Sequence, residues 1–281
     1  ITESPLEPGL LFAGTDKGAF WVTHDDGRHW AEHSQGLANG YIRSICASHF
    51  AMGRVYVSVT GINYDDLGCH LYCSDDYGKT WQSIVANLPD EVAYTILEDP
   101  VNEDILYAGL YRGVYISVDR GRHWSLLGPG MAATAISDLV IQEREMDLVV
   151  GTHGRGIYKM NLRPLHQAFK KGIPQTDALF SPPKAQLPGT STAEKLPITF
   201  YLMHDAAVEL QLIDDKGKTI WTRSIAGRRG FNQYRWDPVV KKNNSPEPYF
   251  WRYVQHAPAG AYQLRLLGKG IDLKTDLAIA R

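Results

Sequence analysis

Thr23-His24-Asp25-Asp26-Gly27-Arg28-His29-Trp30 is the first of three copies of one eight-residue pattern. Ser74-Asp75-Asp76-Tyr77-Gly78-Lys79-Thr80-Trp81 and Ser117-Val118-Asp119-Arg120-Gly121-Arg122-His123-Trp124 repeat it, so all three read [ST]-x-D-x-G-x-x-W. An aspartate in a tight turn accepts hydrogen bonds from nearby backbone N–H groups, and glycine takes a dihedral that a Cβ disfavours. The tryptophan is expected to open the next strand and to pack back over its own turn, burying a large ring. The pattern therefore describes a hairpin turn. Its spacing of roughly 43–51 residues describes an array of sheets.

Working outward, Leu11-Phe12-Ala13-Gly14-Thr15 and Ala19-Phe20-Trp21-Val22 precede the first turn. Leu106-Tyr107-Ala108-Gly109-Leu110 and Val114-Tyr115-Ile116 precede the third. The second copy is stretched, with a long polar loop from Gly61 to Gly68 between Val55–Val59 and His70–Tyr72. A fourth copy, Leu148-Val149-Val150-Gly151-Thr152-His153-Gly154-Arg155-Gly156-Ile157-Tyr158, has the strand pair and no turn after it. One more short apolar segment stands ahead of each pair, at 41–47, 93–97 and 135–141, with 1–4 as a remnant of the first. Strands of about five residues rich in β-branched and aromatic types, four to a unit, predict all-β propeller blades over 1–32, 41–84, 93–127 and 135–160. Four blades are few for a closed ring, and the first unit begins abruptly. Missing N-terminal blades, or a partner chain in their place, are therefore expected to cover an apolar edge.

After residue 160 the texture changes. Pro164 to Lys170 reads as a short helix, and Pro174, Pro182, Pro183 and Pro188 mark a linker to Lys195. Seven short strands follow, at 198–203, 207–213, 220–225, 232–236, 249–254, 261–267 and 273–280. They predict an immunoglobulin-like β-sandwich. The expected division is blades at 1–160, linker at 161–195 and sandwich at 196–281.

Composition narrows the function classes. Hydrophobic residues at 44% and charged residues at 21% suit a globular domain. A net charge of −2 shows no basic excess and argues against nucleic acid as a partner. No apolar run is long enough for a membrane-spanning helix. Cys46, Cys69 and Cys73 are too few for a disulfide framework. On one strand Cys69 and Cys73 would stand about 13 Å apart, too far for a bond. Cys69-His70-x-x-Cys73 lacks a fourth ligand, so neither metal nor cofactor is expected.

The three turns resemble the Asp-box, or BNR repeat, of sialidases and sortilin-type receptors. Gly151 to Tyr158, Asn232-Gln233-Tyr234-Arg235-Trp236-Asp237 and Pro258-Ala259-Gly260-Ala261-Tyr262-Gln263-Leu264 extend that resemblance. The chain is similar to the C-terminal part of secreted bacterial sortilin-like, glycosyl-hydrolase-like propellers that carry a small β-sandwich. The resemblance implies an extracellular or periplasmic location. It also implies that the box residues Thr23, Asp25, Gly27, Trp30, Ser74, Asp76, Gly78, Trp81, Ser117, Asp119, Gly121 and Trp124 are structural, on the face opposite the ligand.

The ligand-binding face is then expected on the loops bearing Asp16, Lys17, Tyr64, His70, Tyr111, Arg112, His153 and Arg155. Long loops on a rigid scaffold tend to carry function, which singles out Asn63 to Asp66. Asp65 and Asp66 are the candidate acid and base for a glycosidic bond, although adjacent residues seldom reach the 5–9.5 Å separation required, about. Arg43, Arg112 and Arg155, one from each of three units, invite comparison with a sialidase arginine triad. The preferred reading is a non-catalytic binding or scaffolding module for a protein, peptide or glycan. The alternative is the end of a secreted glycoside hydrolase acting on polysaccharide or glycoconjugate.

Overall fold

The computed structural model describes residues 1–127, 131, 133–169, 174, 176–182, 185–186, 196–237, 239–242 and 254–280. Among the described residues the fold is all-β apart from one short α-helix and one 3-10 turn, and the chain divides into two compact units, Ile1–Arg163 and Pro164–Arg281. No described helix is long and apolar enough to cross a membrane.

The first unit is a succession of antiparallel meanders, propeller-like in build. Blade 1 comprises β1 (Thr2–Glu3), β2 (Leu11–Gly14), β3 (Phe20–Thr23) and β4 (Ala31–Glu32). Blade 2 comprises β5 (Tyr41–Ala47), β6 (Val55–Thr60), β7 (Leu71–Ser74) and β8 (Gln82–Ser83). Blade 3 comprises β9 (Ala93–Glu98), β10 (Leu106–Leu110), β11 (Val114–Ser117) and β12 (Ser125–Leu126). Blade 4 has three strands, β13 (Ile136–Gln142), β14 (Asp147–Thr152) and β15 (Ile157–Asn161). Strand order follows chain order in every blade, and the first strands of consecutive blades pack against each other.

The core lies between blades. Side chains alternate across a strand, so a strand buried on both faces reads as unbroken apolar sequence. Val55, Val57 and Val59 of β6 face Phe12, Phe20 and Val22 of blade 1. Tyr56, between them, joins Ile96, Leu106, Ala108 and Trp124 of blade 3. All residues of β6 and β10 are buried, whereas β2 and β14 each bury one face.

Small residues on the second strands make this approach possible. A Cβ on Gly14 would lie 2.4 Å from Ile42 of the next blade, and one on Gly109 would lie 2.6 Å from Ile136. Ser58 holds the corresponding place in β6, and its hydroxyl donates to the Tyr94 carbonyl of blade 3 at 3.0 Å. Gly151 in blade 4 has no such neighbour, its nearest atom being Asp138 O at 3.7 Å.

The second unit begins at Pro164, within α1 (Arg163–Phe169), a helix that starts one residue ahead of the expected Pro164. The stretch 161–195, expected as a linker, also contributes β16 (Ala178–Leu179) and β17 (Ala185–Gln186). Then come β18 (Leu196–Leu202), β19 (Ala206–Ile213), β20 (Thr219–Gly227), β21 (Gly230–Trp236), β22 (Val239–Lys242), β23 (Val254–His256), β24 (Gly260–Gly268) and β25 (Ile271–Ala280). The sheets run β16-β18-β21 and β17-β25-β24-β19-β20, with β22 and β23 as a separate pair. Leu196, Ile198, Phe200 and Leu202 of the first sheet share one core with Leu210, Leu212, Leu264, Leu266 and Leu277 of the second. The Phe169 ring of α1 meets Tyr201 edge-on and packs tilted against Phe180 and Phe231. Most of the strand expected at 249–254, Lys170 and residues 187–195 lie outside the described residues.

Gly14→Ala and Gly109→Ala should each lower stability by about 1–3 kcal/mol through overpacking between blades. Gly151→Ala should stay within about 0.5 kcal/mol of the parent, as for a surface change. Urea unfolding midpoints of the three variants check the contrast.

Candidate functional site

The meander places its turns at two ends. At one end the [ST]-x-D-x-G-x-x-W turns join third to fourth strands beside the turns joining first to second. Asp26, Tyr77 and Arg120 donate their backbone N–H groups to Gly9, Gly53 and Asp104 carbonyls there. Asp25 Oδ1 accepts from the His29 N–H at 2.9 Å, and Asp76 and Asp119 accept from Thr80 and His123 N–H groups at 2.8 Å. The Thr23, Ser74 and Ser117 hydroxyls donate to those carboxylates and accept from the Gly27, Gly78 and Gly121 N–H groups. The His29 ring and its backbone N–H hold the Asp25 carboxyl well below the usual range.

Both central residues of these turns have positive φ. Asp26, Tyr77 and Arg120 lie at 58°, 64° and 58°, followed by Gly27, Gly78 and Gly121 at 82°, 85° and 82°. The tryptophans depart from expectation. Strand four starts one residue after each, and while the Trp81 ring also lies against Gly78 of its own turn, only the Trp30 indole N–H donates back to its turn. Trp81 and Trp124 reach the preceding blade instead, donating to the His33 and Ile84 carbonyls. Their burial comes from a neighbouring sheet, which a pattern local to the turn does not encode.

The opposite end carries the residues expected to bind. Asp16 and Lys17 sit in the β2–β3 turn, Tyr64 and His70 on the β6–β7 loop, Tyr111 and Arg112 between β10 and β11, and His153 and Arg155 between β14 and β15. These turns are laced to the segments leading from one blade to the next. The Cys69 N–H donates to Asp90 Oδ1 (3.2 Å), the Arg112 N–H to Glu91 Oε1 (3.2 Å) and the His153 N–H to the Ala135 carbonyl (2.9 Å). The loops therefore ride on fixed backbone.

The long loop is built by its own carboxylate. Ile62–Tyr64 form one 3-10 turn closed by Asp65 at φ 56°. Asp66 Oδ1 accepts the Gly68 N–H at 2.9 Å, and Oδ2 lies 2.7 Å from His70 Nε2. The Gly68 N–H and the His70 ring keep the Asp66 carboxyl below its ordinary range. A carboxyl so held is ionised at neutral pH and engaged on both oxygens, which makes it a poor general acid. The three arginines compared with a sialidase triad sit at different strand positions and have separate surroundings. Arg43 lies 5.8 Å from the Tyr41 ring centre, Arg112 Nε is 3.4 Å from Glu91 Oε2, and the Arg155 N–H donates to Thr152.

Beside exposed polar groups such as Lys17, Asp65 and Arg112, this end exposes apolar side chains. Tyr64 is 54% exposed, Leu67 63% and Tyr111 55%, with Ile62 beside Tyr64 also exposed. In the sequence the one mark of Ile62 and Leu67 is that they are aliphatic in a loop otherwise rich in Asp, Asn and Gly.

No protein-family model matches the chain, and no curated protein matches it. Among solved structures it is similar to the GH74 xyloglucanase from Xanthomonas campestris, at 13% identity over 84% of this chain and 38% of that one, with a TM-score of 0.44. It is also similar to the Niastella koreensis GH74 enzyme, at 13% identity over 98% and 36%, with a TM-score of 0.46. A third similar structure is YCF48 bound to D1 peptide, at 16% identity over 97% and 90%, with a TM-score of 0.39. The chain spans well under half the length of either GH74 enzyme.

A second concave feature lies along the first strands. A cavity of about 310 Å³ is lined by Thr2, Glu3, Ser44, Cys46, His49 and Asp138, among others. Near it Glu98, fully buried, accepts from the Ser48 hydroxyl at 2.9 Å, the Tyr56 hydroxyl at 3.0 Å and the His49 N–H at 2.7 Å. Burial pushes its carboxyl up despite these three donors. Its partners come from blade 2, so Glu98 ties two blades together. The only sequence signal was a glutamate closing the apolar strand Ala93–Glu98. The three cysteines are free thiols, and burial pushes each up to about 12.

A depressed carboxyl contributes order that is present above the unfolded pKa and lost as pH falls through the folded one. The Gly68 amide should therefore titrate with a midpoint below about 3.9, the ordinary aspartate value. Asp66→Asn should abolish that titration. Proton–nitrogen correlation spectra recorded down the pH range check it.

Proposed function

We propose that the blade unit is a non-catalytic binding or scaffolding module, part of a secreted sortilin-like Asp-box propeller that recognises a protein or peptide. The observation that supports this most is the exposed group Ile62, Tyr64, Leu67 and Tyr111, held on loops whose backbone is fixed by hydrogen bonds. Exposed aromatic and aliphatic side chains on a rigid base gain affinity by burial at low ordering cost. Aliphatic Ile62 and Leu67 favour a peptide surface over a sugar, which gains chiefly from aromatic plates and polar donors. Asp16, Lys17, Arg112, His153 and Arg155 would then form a polar rim.

In this reading the box residues maintain the scaffold, the C-terminal sandwich, immunoglobulin-like in kind, serves as a spacer, and the location is extracellular or periplasmic. The glycoside-hydrolase alternative loses support from the state of Asp66, whose two oxygens already serve the loop.

Panning a random peptide library displayed on phage against the 281-residue chain tests the proposal. Selected peptides should bind the Tyr64→Ala, Leu67→Ala double variant at least tenfold more weakly than the parent, or about 1.4 kcal/mol. Selected peptides that bind parent and variant equally would sink it. So would a glycan array giving the sole signal lost in that variant.

A further inference from the structure

Glu98 ends β9 with its side chain fully buried, and its hydrogen bonds can be followed atom by atom. Oε1 accepts from the Ser48 hydroxyl at 2.9 Å and from the Tyr56 hydroxyl at 3.0 Å, which occupies both of its lone pairs. Among the described residues Oε2 accepts one bond, from the His49 N–H at 2.7 Å. The His49 ring stands beside the same oxygen, with Nδ1 3.9 Å away, too far for a hydrogen bond. That Nδ1 is buried and has no hydrogen-bond partner among the described residues. An unpaired ring nitrogen and a half-used carboxyl oxygen therefore face each other across a gap.

The groups packed around the carboxyl give it no free counter-charge. From β5 the Cys46 thiol accepts the Glu98 N–H at 3.3 Å, and from β7 comes the Cys73 thiol, both kept protonated by burial. From β6 comes the Tyr56 phenol, pushed up by burial and by the charge of Glu98. Arg54 attracts the carboxylate, but its guanidinium is bound to Asp75 at 2.6 Å and to Glu103 at 2.9 Å. Asp99, next along the chain, takes the Tyr107 hydroxyl at 2.8 Å. Glu3 of blade 1 and Asp138 of blade 4 line, with His49, the cavity along the first strands. Burial accordingly outweighs the three donors and holds the Glu98 carboxyl above its ordinary range.

We propose that Glu98 and His49 form a proton-operated latch between blades 2 and 3. One proton taken up on Oε2 gives a carboxylic acid whose O–H donates to His49 Nδ1, closing the 3.9 Å gap. Oε2 then donates once and accepts once, Oε1 still accepts twice, and no buried polar atom of the group is left unpaired. Loss of the proton reopens the gap and leaves a buried anion beside an orphaned nitrogen, which costs stability. The imidazole is also the way in. Its side chain is 33% exposed while that of Glu98 is 0% exposed, so the carboxyl exchanges its proton with solvent past His49. The latch lies in the seam between blades and does not rest on the loops proposed to bind peptide.

A carboxyl raised in the fold binds its proton before the unfolded chain does. The contribution of the latch to stability is complete below the unfolded glutamate value, about 4.3, and is lost as pH rises through the folded one. Carbon-13 spectra of the glutamate-labelled full chain, with Glu98 assigned by its loss in Glu98→Gln, follow the carboxyl directly. Its midpoint should stand above the ordinary glutamate range. His49→Phe keeps a ring in place and removes the acceptor, and should lower the proton affinity of Glu98 about tenfold, or one pH unit. The urea midpoint of the parent should rise relative to that of Glu98→Gln as pH falls from about 8 to about 5. A Glu98 midpoint in the ordinary range, or one that is the same in parent and His49→Phe, overturns the proposal. Should His49→Phe fail to fold, the parent labelled with nitrogen-15 histidine decides. A downfield proton coupled to His49 Nδ1 below the Glu98 midpoint, and missing in Glu98→Gln, is the bond itself, and its absence from the parent overturns the latch.

Discussion

Close approach between the second strand of one blade and the first strand of the next is the constraint on which the blade unit depends. Gly14 against Ile42 and Gly109 against Ile136 leave no room for a methyl group, and Ser58 turns the same proximity into a hydrogen bond. Once these strands touch, the inner sheets bury both faces, and an alternating strand becomes an unbroken apolar one. Glu98 is drawn into the same seam, where three donors from the previous blade compensate its burial. Two of the three turn tryptophans then close the outer part of the seam. Cohesion is therefore a property of neighbouring pairs, as in other repeat architectures.

Much of this was legible in the sequence because it is local. The position of each turn, the order of strands and the absence of a turn after the fourth unit followed from [ST]-x-D-x-G-x-x-W and from β-branched runs at repeat spacing. What escaped was non-local. A tryptophan beside a turn looks as though it serves that turn alone, and only the arrival of the previous blade gives the Trp81 and Trp124 indole N–H groups their acceptors. Positive φ at Tyr77 and Arg120 was equally hidden, since neither residue type favours it. Their N–H bonds to Gly53 and Asp104 help hold that conformation. The stretch 161–195 read as linker because its prolines dominate, while its short strands gain their stability from sheet partners far along the chain.

The candidate site shows how chemical residue types mislead on a loop. Two adjacent aspartates suggest acid and base, but in the fold Asp65 closes a 3-10 turn and Asp66 organises the loop backbone. Polar side chains in such a segment often serve the chain that carries them. Tyr64 and Leu67, which face solvent in the same loop, are apolar side chains without such a bond to make.

The outer strands Ala31–Glu32, Gln82–Ser83 and Ser125–Leu126 are two residues long. A sheet edge invites another chain in proportion to the row of unpaired backbone groups it shows, and so short a row is a poor template for cross-β growth. The outer edges of the first three blades are therefore poor templates for fibril growth, whereas blade 4 ends in the longer β15 (Ile157–Asn161).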